Sequence, residues 1–347
     1  MWIYAIPFVA LLGLTSISRI FVRKDMLLLV GLVAAGCALF AGARSETDND
    51  WLTYLDYFDQ VPPLTAGLDA LGNAITEIYM EPVFVVLVSI VKAVAPDVAV
   101  FLACSAIAIA VYFACLIRVT RYPAIALLMY IGDGFYLREF TQLRFGLAVA
   151  FGLASLTALY FGKTWKHVAL ALAATCMHYT GIIVLASKAW LRFVKTRKQI
   201  VVISTILFAL VLIGGFDGLV GGLADLGLAP LRLLPYIGRE TDSEVSPTVV
   251  IALQYFLLML SVMIPKETDA EFFWVRIYAL GFALVCVFSG FDLLRRVSFF
   301  FGPALYVLAS SALARRRYLT VAVFVAYAAV LLSARFAILR PYESWLF

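Results

Sequence analysis

Long apolar runs constrain this sequence more than any other feature. Many of them extend over about 17–20 residues, the length that an α-helix needs to cross the hydrocarbon core of a bilayer. They begin with residues 2–18 and 26–43 and recur as far as 318–334. Only 14% of the residues are charged, against about a quarter in soluble domains. The pattern predicts an all-α integral membrane protein, a polytopic helical bundle of about 10–12 transmembrane or re-entrant helices.

Several other classes are excluded by the sequence. It has no short segments of alternating hydrophobicity, which a β-barrel requires, and no basic, aromatic-rich stripe for nucleic acid. The five cysteines lie in apolar runs without C-x-x-C spacing, which indicates buried apolar residues and no zinc site. No P-loop, Rossmann glycine motif or Ser/His/Asp order is present, so ATP is not expected as an energy source. The N-terminus lacks a basic region and a cleavage site, and we interpret it as a retained first helix.

The distribution of lysine and arginine predicts the orientation in the membrane. The sequence RIFVRK, residues 19–24, places the first turn in the cytoplasm and the N-terminus outside. The next hydrophilic stretch, residues 44–81, has eight acidic residues and one basic residue, which fits an external face. We therefore expect residues 1–347 to form a single polytopic membrane domain with both termini outside and with external loops at about 44–97 and 217–246.

Two apolar runs break the alternation of charge between the two sides. Counting residues 82–96 as a span would place Arg118 and Arg121 outside, and residues 167–187 lie between two basic stretches that both look cytoplasmic. We interpret the first run as a re-entrant or interfacial helix, and the second as a segment that enters and returns with a bend near His178. A tilted spanning helix that violates the charge rule is the alternative.

Arginine predominates among the basic residues that this topology places outside the cytoplasmic loops. Arg138, Gln142 and Arg144 precede a fully apolar helix, where a charge is costly unless it is paired or hydrated. A planar guanidinium binds phosphate or carboxylate through two hydrogen bonds, so these arginines are candidates for binding an anionic substrate. The alternatives are side chains that reach lipid headgroups and a surface ion pair between Arg138 and Glu139.

A second pair of arginines, Arg295 and Arg296, lies late in the chain on the same predicted face. Positive charge on the external side is unfavourable for insertion, which is a reason to look for a function. The functional interpretation is a diphosphate clamp formed together with Arg144. The alternative is an interfacial anchor.

The first external loop carries acidic and aromatic residues close together. Asp48, Asn49 and Asp50 form a D-x-D tripeptide, which binds a metal in many glycosyltransferases, although a solvated loop has the same composition. A carboxylate here is alternatively a general base that removes a proton from an acceptor hydroxyl. Trp51 and Tyr54 offer flat surfaces for stacking on sugars, and an aromatic belt at the membrane interface is the other interpretation.

Two further side chains are candidates with structural alternatives. Glu81 precedes Pro82 and is either a helix cap that favours the helix dipole or a catalytic carboxylate. His178 lies deep in an apolar run and is a candidate for phosphate binding, proton transfer or bracing of a bend. His167 is on the predicted cytoplasmic side, so no second histidine is available for a metal site.

These stretches together resemble the EpsG-like family of Wzy-type polysaccharide polymerases. The first is R-x5-D-[YW]-x2-Y in the first external loop, followed by E-P-x-[FY], by Q-x-R running into x2-L-A, by a histidine and by an arginine before an aromatic pair. The matching residues are, in chain order, Arg44, Asp50, Trp51 and Tyr54; Glu81, Pro82 and Phe84; Gln142, Arg144, Leu147 and Ala148; His178; and Arg296, Phe299 and Phe300. The sequence departs from the pattern at Phe145, where the family often has Gln, and at Thr180, where it often has a small residue.

The resemblance implies a membrane glycosyltransferase of the GT-C-like kind on the outer face of the bacterial inner membrane. Its donor would be a growing glycan on undecaprenyl diphosphate, and its acceptor the terminal sugar of one lipid-linked repeat unit. A chain-length regulator is a candidate further partner. No cofactor is expected, and we predict metal independence because arginines compensate the charge of the diphosphate. An O-antigen ligase, a transferase that uses a polyprenyl-phosphate sugar and, less favoured, a lipid-linked sugar transporter are the alternatives.

The resemblance and the residue types assign roles to twelve side chains. Asp50 is the first candidate for the general base and Glu81 the second, Arg144 binds the diphosphate, and His178 supports the phosphate or the fold. The residues expected to bind substrate are Arg44, Asp48, Trp51, Tyr54, Arg138, Gln142, Arg295 and Arg296.

Overall fold

The computed structural model describes residues 2–48, 50–78, 80–214, 247–264, 269–290, 292–336 and 339–346. Asn49 and the predicted external loop at 217–246 lie outside the described residues. The α-helices are α1 (Ile6–Ile17), α2 (Arg23–Gly42), α3 (Trp51–Gln60), α4 (Leu68–Glu77), α5 (Pro82–Lys92), α6 (Ala99–Val119), α7 (Pro123–Tyr130), α8 (Tyr136–Arg138), α9 (Leu143–Tyr160), α10 (Thr164–Met177), α11 (Ala186–Phe193), α12 (Arg197–Leu212), α13 (Pro247–Met263), α14 (Asp269–Val287), α15 (Asp292–Arg295), α16 (Pro303–Ala314) and α17 (Tyr318–Phe336).

Shorter elements connect these helices. Helices of the 3₁₀ type are Trp2–Ala5, Leu64–Ala66, Tyr179–Leu185 and Arg296–Phe300, and a π-helical turn is Ile131–Phe135. The strands are β1 (Arg44–Ser45) and β2 (Glu343–Ser344), which pair antiparallel.

Five helices in the described part of the chain are long and apolar enough to cross a membrane. They are Arg23–Gly42, Ala99–Val119, Leu143–Tyr160, Ala270–Val287 and Tyr318–Phe336. On α2 the exposed side chains of Leu28, Leu32 and Leu39 are spaced by whole turns and share one face, as expected of a surface that contacts lipid. The polytopic helical fold class predicted from the sequence is confirmed.

Helix α5 is too short to cross a bilayer. Its 11 residues rise about 16 Å, roughly half of the hydrocarbon thickness. Pro82 occupies the first helical position, where its missing N–H leaves no donor unsatisfied. At the other end Lys92 donates to the carbonyl oxygen of Phe58 and pairs with Asp97 at 3.0 Å. These features agree with the interpretation of 82–96 as a re-entrant or interfacial segment.

The described chain divides by its packing into two compact units, Met1–Val184 with Ala309–Phe347, and Leu185–Leu308. In the first unit α6 packs on α2 and on α9, and α9 packs on α10. Helix α17 covers the π-helical turn and α7. In the second unit α12, α13 and α14 pack on one another. A single domain over 1–347 stays a prediction.

The first loop and both ends of the described chain meet at one face of the first unit. Strand β1 pairs with β2 through Arg44 opposite Ser344. The Tyr4 hydroxyl donates to the carbonyl oxygen of Arg340 at 2.8 Å, and the Arg340 N–H donates to that of Thr47 at 3.1 Å. The predicted topology likewise places both termini on the side of the first loop.

Arg44 and Asp48 connect the segments that meet at this face, and we call this buried ion pair the Arg44 joint. The contacts of Arg44 show how the connection is made. Its side chain is completely buried, and its guanidinium donates to Asp48 at 3.1 Å, to the carbonyl of Ala41 at 2.6 Å and to the carbonyl of Phe140. The Phe101 ring lies 4.8 Å from the guanidinium carbon, which adds a cation–π contact. One side chain thereby connects the end of α2, the first loop and the segment before α9.

We expect Arg44→Met to destabilise the protein strongly. The substitution leaves the buried Asp48 carboxylate without its cation, which costs about 3–5 kcal/mol for such pairs. Arg118→Met, an exposed residue near the end of α6, is the matched control, with an expected effect within about 0.5 kcal/mol. Thermal unfolding in detergent, followed by tryptophan fluorescence, gives both unfolding temperatures. Equal small decreases in the two variants would contradict the structural role of Arg44.

Candidate functional site

The candidate site begins at the first turn of α9, where Arg144 faces the start of α5. The Arg144 Nη1 donates to the Glu81 carboxylate oxygen Oε2 at 2.8 Å. The Arg144 side chain is 26% exposed and that of Glu81 is 12% exposed, so the pair is shielded but reachable. The two residues are 63 positions apart in the chain. Their contact brings together the E-P-x-[FY] motif, which contains Glu81, and the Q-x-R motif, which contains Arg144.

Tyr54 is the third member of the cluster. Its hydroxyl interacts electrostatically with the Arg144 guanidinium, and its ring is buried against Phe58, Phe84 and Phe101. Burial raises the pKa of Tyr54, whereas the charge of Arg144 opposes this increase. A side chain that is only 8% exposed offers little ring surface for stacking on a sugar. This geometry favours a role for Tyr54 in positioning the Arg144 side chain.

Asp50 lies beside this cluster at the N-terminus of α3, and its side chain is exposed. Its backbone N–H donates to the Asp48 carboxylate oxygen Oδ1 at 2.9 Å, which fixes the turn into the helix. The Asp50 carboxylate also interacts electrostatically with Tyr54. Three of the four predicted catalytic residues, namely Asp50, Glu81 and Arg144, are therefore grouped around Tyr54.

His178 ends α10 and adopts an extended backbone conformation. Its Nδ1 lies 2.7 Å from the Thr180 hydroxyl oxygen, and its ring packs edge-on at 5.3 Å against Phe145, the neighbour of Arg144. The chain then folds back. The fold-back brings Gly181 so close to the backbone of Ala174 that a Cβ on Gly181 would fall 2.5 Å from it. The bend predicted near His178 is present.

Other predicted substrate-binding residues lie inside the protein. Arg44 and Asp48 form the buried joint described above, and both Asp48 oxygens accept hydrogen bonds within the loop. The Trp51 indole N–H donates to the carbonyl of Arg44 at 3.2 Å, and its ring stacks on Phe101. These contacts favour a role in holding the first loop. Their assignment to substrate binding stays a prediction.

Arg138 and Glu139 do not form a surface ion pair, which was one alternative from the sequence. Each side chain is only 2% exposed. The Arg138 guanidinium lies 5.7 Å from the ring centres of both Tyr112 and Tyr130, and Asp133 lies 3.8 Å from its Nη2. The segment between α8 and α9 is therefore anchored in the core by charged side chains. A rearrangement would be needed for Arg138 to contact a substrate.

Glu139 is a residue whose importance sequence reasoning missed. Its Oε1 accepts a hydrogen bond from the Tyr130 hydroxyl. Its Oε2 lies over the first turn of α9, where a Cβ on Gly146 would fall 2.4 Å from it. A glycine in an otherwise apolar helix was the available signal, since such a residue often marks a close approach. Glu139 thus packs against the turn that carries Arg144.

Burial raises the pKa of Glu139 to about 7, and the nearby charges of Arg138 and Arg44 and the Tyr130 hydroxyl oppose this increase. The desolvation of the carboxylate is the largest cause. Gln142, which precedes α9, has its side-chain oxygen Oε1 buried without a hydrogen-bond partner among the described residues. An acceptor in this position suits a hydroxyl or amide donor of a substrate.

Arg295 and Arg296 belong to the second unit, at the junction of α15 with the Arg296–Phe300 helix. Both are partly exposed. Their predicted cooperation with Arg144 stays a prediction. In the described ranges no three histidine, cysteine or acidic side chains converge as a metal site, and metal independence likewise stays a prediction.

The chain matches a model of a known protein family. The family model described as EpsG family matches residues 27–344, which is nearly the whole chain. No curated protein and no solved structure matches the chain. The matched range contains Asp50, Tyr54, Glu81, Arg144 and His178.

We expect stability to fall as the pH rises through the pKa of Glu139. The folded state retains a proton that the unfolded chain releases at its ordinary pKa of about 4.3, so this contribution is present below that pH and is lost as the pH passes about 7. The unfolding temperature of the wild type should therefore decrease from about pH 5 to pH 7.5 relative to that of Glu139→Gln. Glu77→Gln, at the exposed end of α4, is the control. Parallel curves for the wild type and Glu139→Gln would refute the assignment.

Proposed function

The chain belongs to the EpsG family, which is associated with Wzy-type polymerases, and we propose that it is a polysaccharide polymerase. It transfers a growing glycan from undecaprenyl diphosphate to the terminal sugar of a lipid-linked repeat unit. The reaction takes place on the external face of the bacterial inner membrane, in a GT-C-like fold. The observation that carries this proposal is the cluster of Arg144, Glu81, Tyr54 and Asp50.

The chemistry requires a cation at the point where a diphosphate departs. The acceptor hydroxyl attacks the anomeric carbon of the donor, a new glycosidic C–O bond forms, and the C–O bond to the diphosphate breaks. The leaving group takes the electron pair and gains negative charge. Arg144 stabilises that charge with a planar pair of donors, and this effect is largest where water is scarce. An arginine at the start of a membrane helix and partly shielded from water meets this requirement.

Asp50 is the side chain that we propose as the general base. Its carboxylate is exposed and accessible to an acceptor hydroxyl, whereas Glu81 is engaged by Arg144 at 2.8 Å. Asp50 takes the hydroxyl proton as the new bond forms. Glu81 and Tyr54 orient Arg144 before the diphosphate binds, which lowers the cost of ordering this long side chain.

The remaining candidates have supporting roles in this proposal. Gln142 offers its buried Oε1 to a donor on the substrate, and His178 braces the first turn of α9 through Phe145. Arg295 and Arg296, which belong to the second unit, are proposed to bind phosphate. Arg44 and Asp48 act indirectly, since they hold the loop that presents Asp50.

We expect Arg144→Lys to lower kcat by about 10–100-fold, because an ammonium cannot donate two parallel hydrogen bonds to a phosphate. Polymerisation by the purified protein, supplied with an undecaprenyl-diphosphate-linked repeat unit, gives the rate. The control is Arg118→Lys, the same substitution in the last turn of α6. This end of α6 is the one away from the Arg44 joint, and the variant should retain wild-type turnover. Full activity of Arg144→Lys would eliminate the clamp. Turnover only with a polyprenyl-phosphate sugar, or only onto a lipid A core, would instead identify one of the two alternative enzymes.

A second pair of variants separates the two carboxylates. Asp50→Asn should reduce kcat by about 10²–10⁴-fold through loss of the base, whereas Glu81→Gln should mainly raise KM because Arg144 loses its orientation. The kcat and KM of both variants are measured with the same lipid-linked substrate. Near-normal kcat in Asp50→Asn together with a severe loss in Glu81→Gln would reverse the two assignments.

A further inference from the structure

A basic cavity lies at the end of the first unit that carries the turns between α1 and α2 and between α6 and α7. Its volume is about 300 Å³, and three of the residues that line it are arginines, Arg19, Arg23 and Arg121. The Tyr122 ring forms another part of the wall. Helix α6 separates this end from the Arg44 joint by about 26 Å, at 1.5 Å per residue between Phe101 and Arg118.

Two of the three arginines, Arg19 and Arg23, are held in place by neighbouring helices. Arg19 donates to the carbonyl of Leu313 at 2.7 Å and to the Tyr318 hydroxyl at 2.8 Å, whereas Arg23 donates to the carbonyl of Ile117 at 2.9 Å. Leu313 and Ile117 lie in the last turns of α16 and α6, where a cation also interacts favourably with the helix dipole. The cavity wall is therefore fixed before any ligand arrives.

Positive charge is concentrated around this cavity. The guanidinium carbons of Arg19 and Arg121 lie 5.9 and 5.6 Å from the centre of the same Tyr122 ring. No acidic side chain is among the described residues that line the cavity. Like charges held close together repel each other, so an anion in the cavity would be stabilising. Arginine forks match the geometry of phosphate oxygens.

Phe21 lines the cavity, and we call Phe21 and its exposed apolar neighbours Ile20 and Val22 the rim. Ile20, Phe21 and Val22 are 82%, 44% and 68% exposed, and they lie between Arg19 and Arg23. Such a combination at the end of membrane helices is typical of the headgroup region, where basic side chains meet phosphate and apolar side chains meet acyl chains. A free phosphate ion would use the arginines but not this rim.

We propose that the cavity binds the phosphodiester headgroup of an anionic phospholipid, with its acyl chains against the rim formed by Ile20, Phe21 and Val22. Basic pockets between membrane helices recognise anionic lipids in this way. The site is remote from Arg144 and takes a different ligand. A result against lipid binding would therefore leave the proposed polymerase activity unaffected, and a result against polymerase activity would leave the lipid site unaffected.

Delipidated protein in a neutral detergent tests the proposal with three probes, phosphatidylglycerol, phosphatidylcholine and inorganic phosphate. Phosphatidylglycerol should raise the unfolding temperature by ~2–4 °C at saturation, since a ligand of the folded state stabilises it. Phosphatidylcholine and inorganic phosphate should have smaller effects. Native mass spectrometry should retain one phosphatidylglycerol in preference to phosphatidylcholine. Equal stabilisation by the two lipids, or full stabilisation by inorganic phosphate alone, would overturn the proposal.

Arg121→Gln is the informative variant, because Arg121 packs on Tyr122 and, among the described residues, donates to no helix-end carbonyl as Arg19 and Arg23 do. It should reduce phosphatidylglycerol retention at least ~5-fold while leaving the unfolding temperature without lipid unchanged. Arg118→Gln removes the same charge from the same end without lining the cavity and should retain the lipid. Equal losses in the two variants would show general surface charge and refute the site. If Arg121→Gln is not recovered folded, Arg23→Gln is used instead, and its unfolding temperature without lipid is measured as well because Arg23 also donates to the carbonyl of Ile117.

Discussion

The face that carries the candidate site depends on the buried interactions of Arg44. Its completely buried guanidinium ties the end of α2 to Asp48 and to the carbonyl of Phe140, before α9. Where water is scarce, such a charge is tolerated only if its donors are satisfied within the protein. Because the partners come from three segments, satisfying one side chain fixes the first loop relative to α9. The positions of Asp50 and Arg144 follow from this constraint.

The candidate site differs from that joint in its access to the surface. Arg144 has partners of the same chemical kinds, a carboxylate in Glu81 and an aromatic residue in Tyr54, but its side chain is 26% exposed, whereas that of Arg44 is fully buried. A buried pair resists exchange, since either charge would be left uncompensated. A partly exposed pair can exchange its carboxylate for a substrate phosphate at lower cost. Burial therefore separates a structural arginine from a candidate functional one.

The opposite end of the first unit uses arginine in a third way. There Arg19 and Arg23 donate to carbonyl oxygens in the last turns of helices, which satisfies groups that lack partners within the helix. The same contacts hold the guanidinium groups around a cavity with an apolar rim. A structural requirement of helix ends thus creates a surface that is suited to anionic lipid. Charge at this end and charge at the site are separated by the length of α6.

The sequence by itself determined the helical membrane fold, the segment that turns at His178, and the motifs containing Asp50, Glu81 and Arg144, because run length, charge bias and short spacings are local properties. Only the tertiary structure decided which polar residues are buried. Tyr54 faces Arg144, and Glu139 lies in the core beneath Gly146. Burial depends on partners that are far away in the chain, such as the contacts over 63 and 96 residues made by Arg144 and Arg44. No local pattern encodes these distances, since they result from how the helices pack.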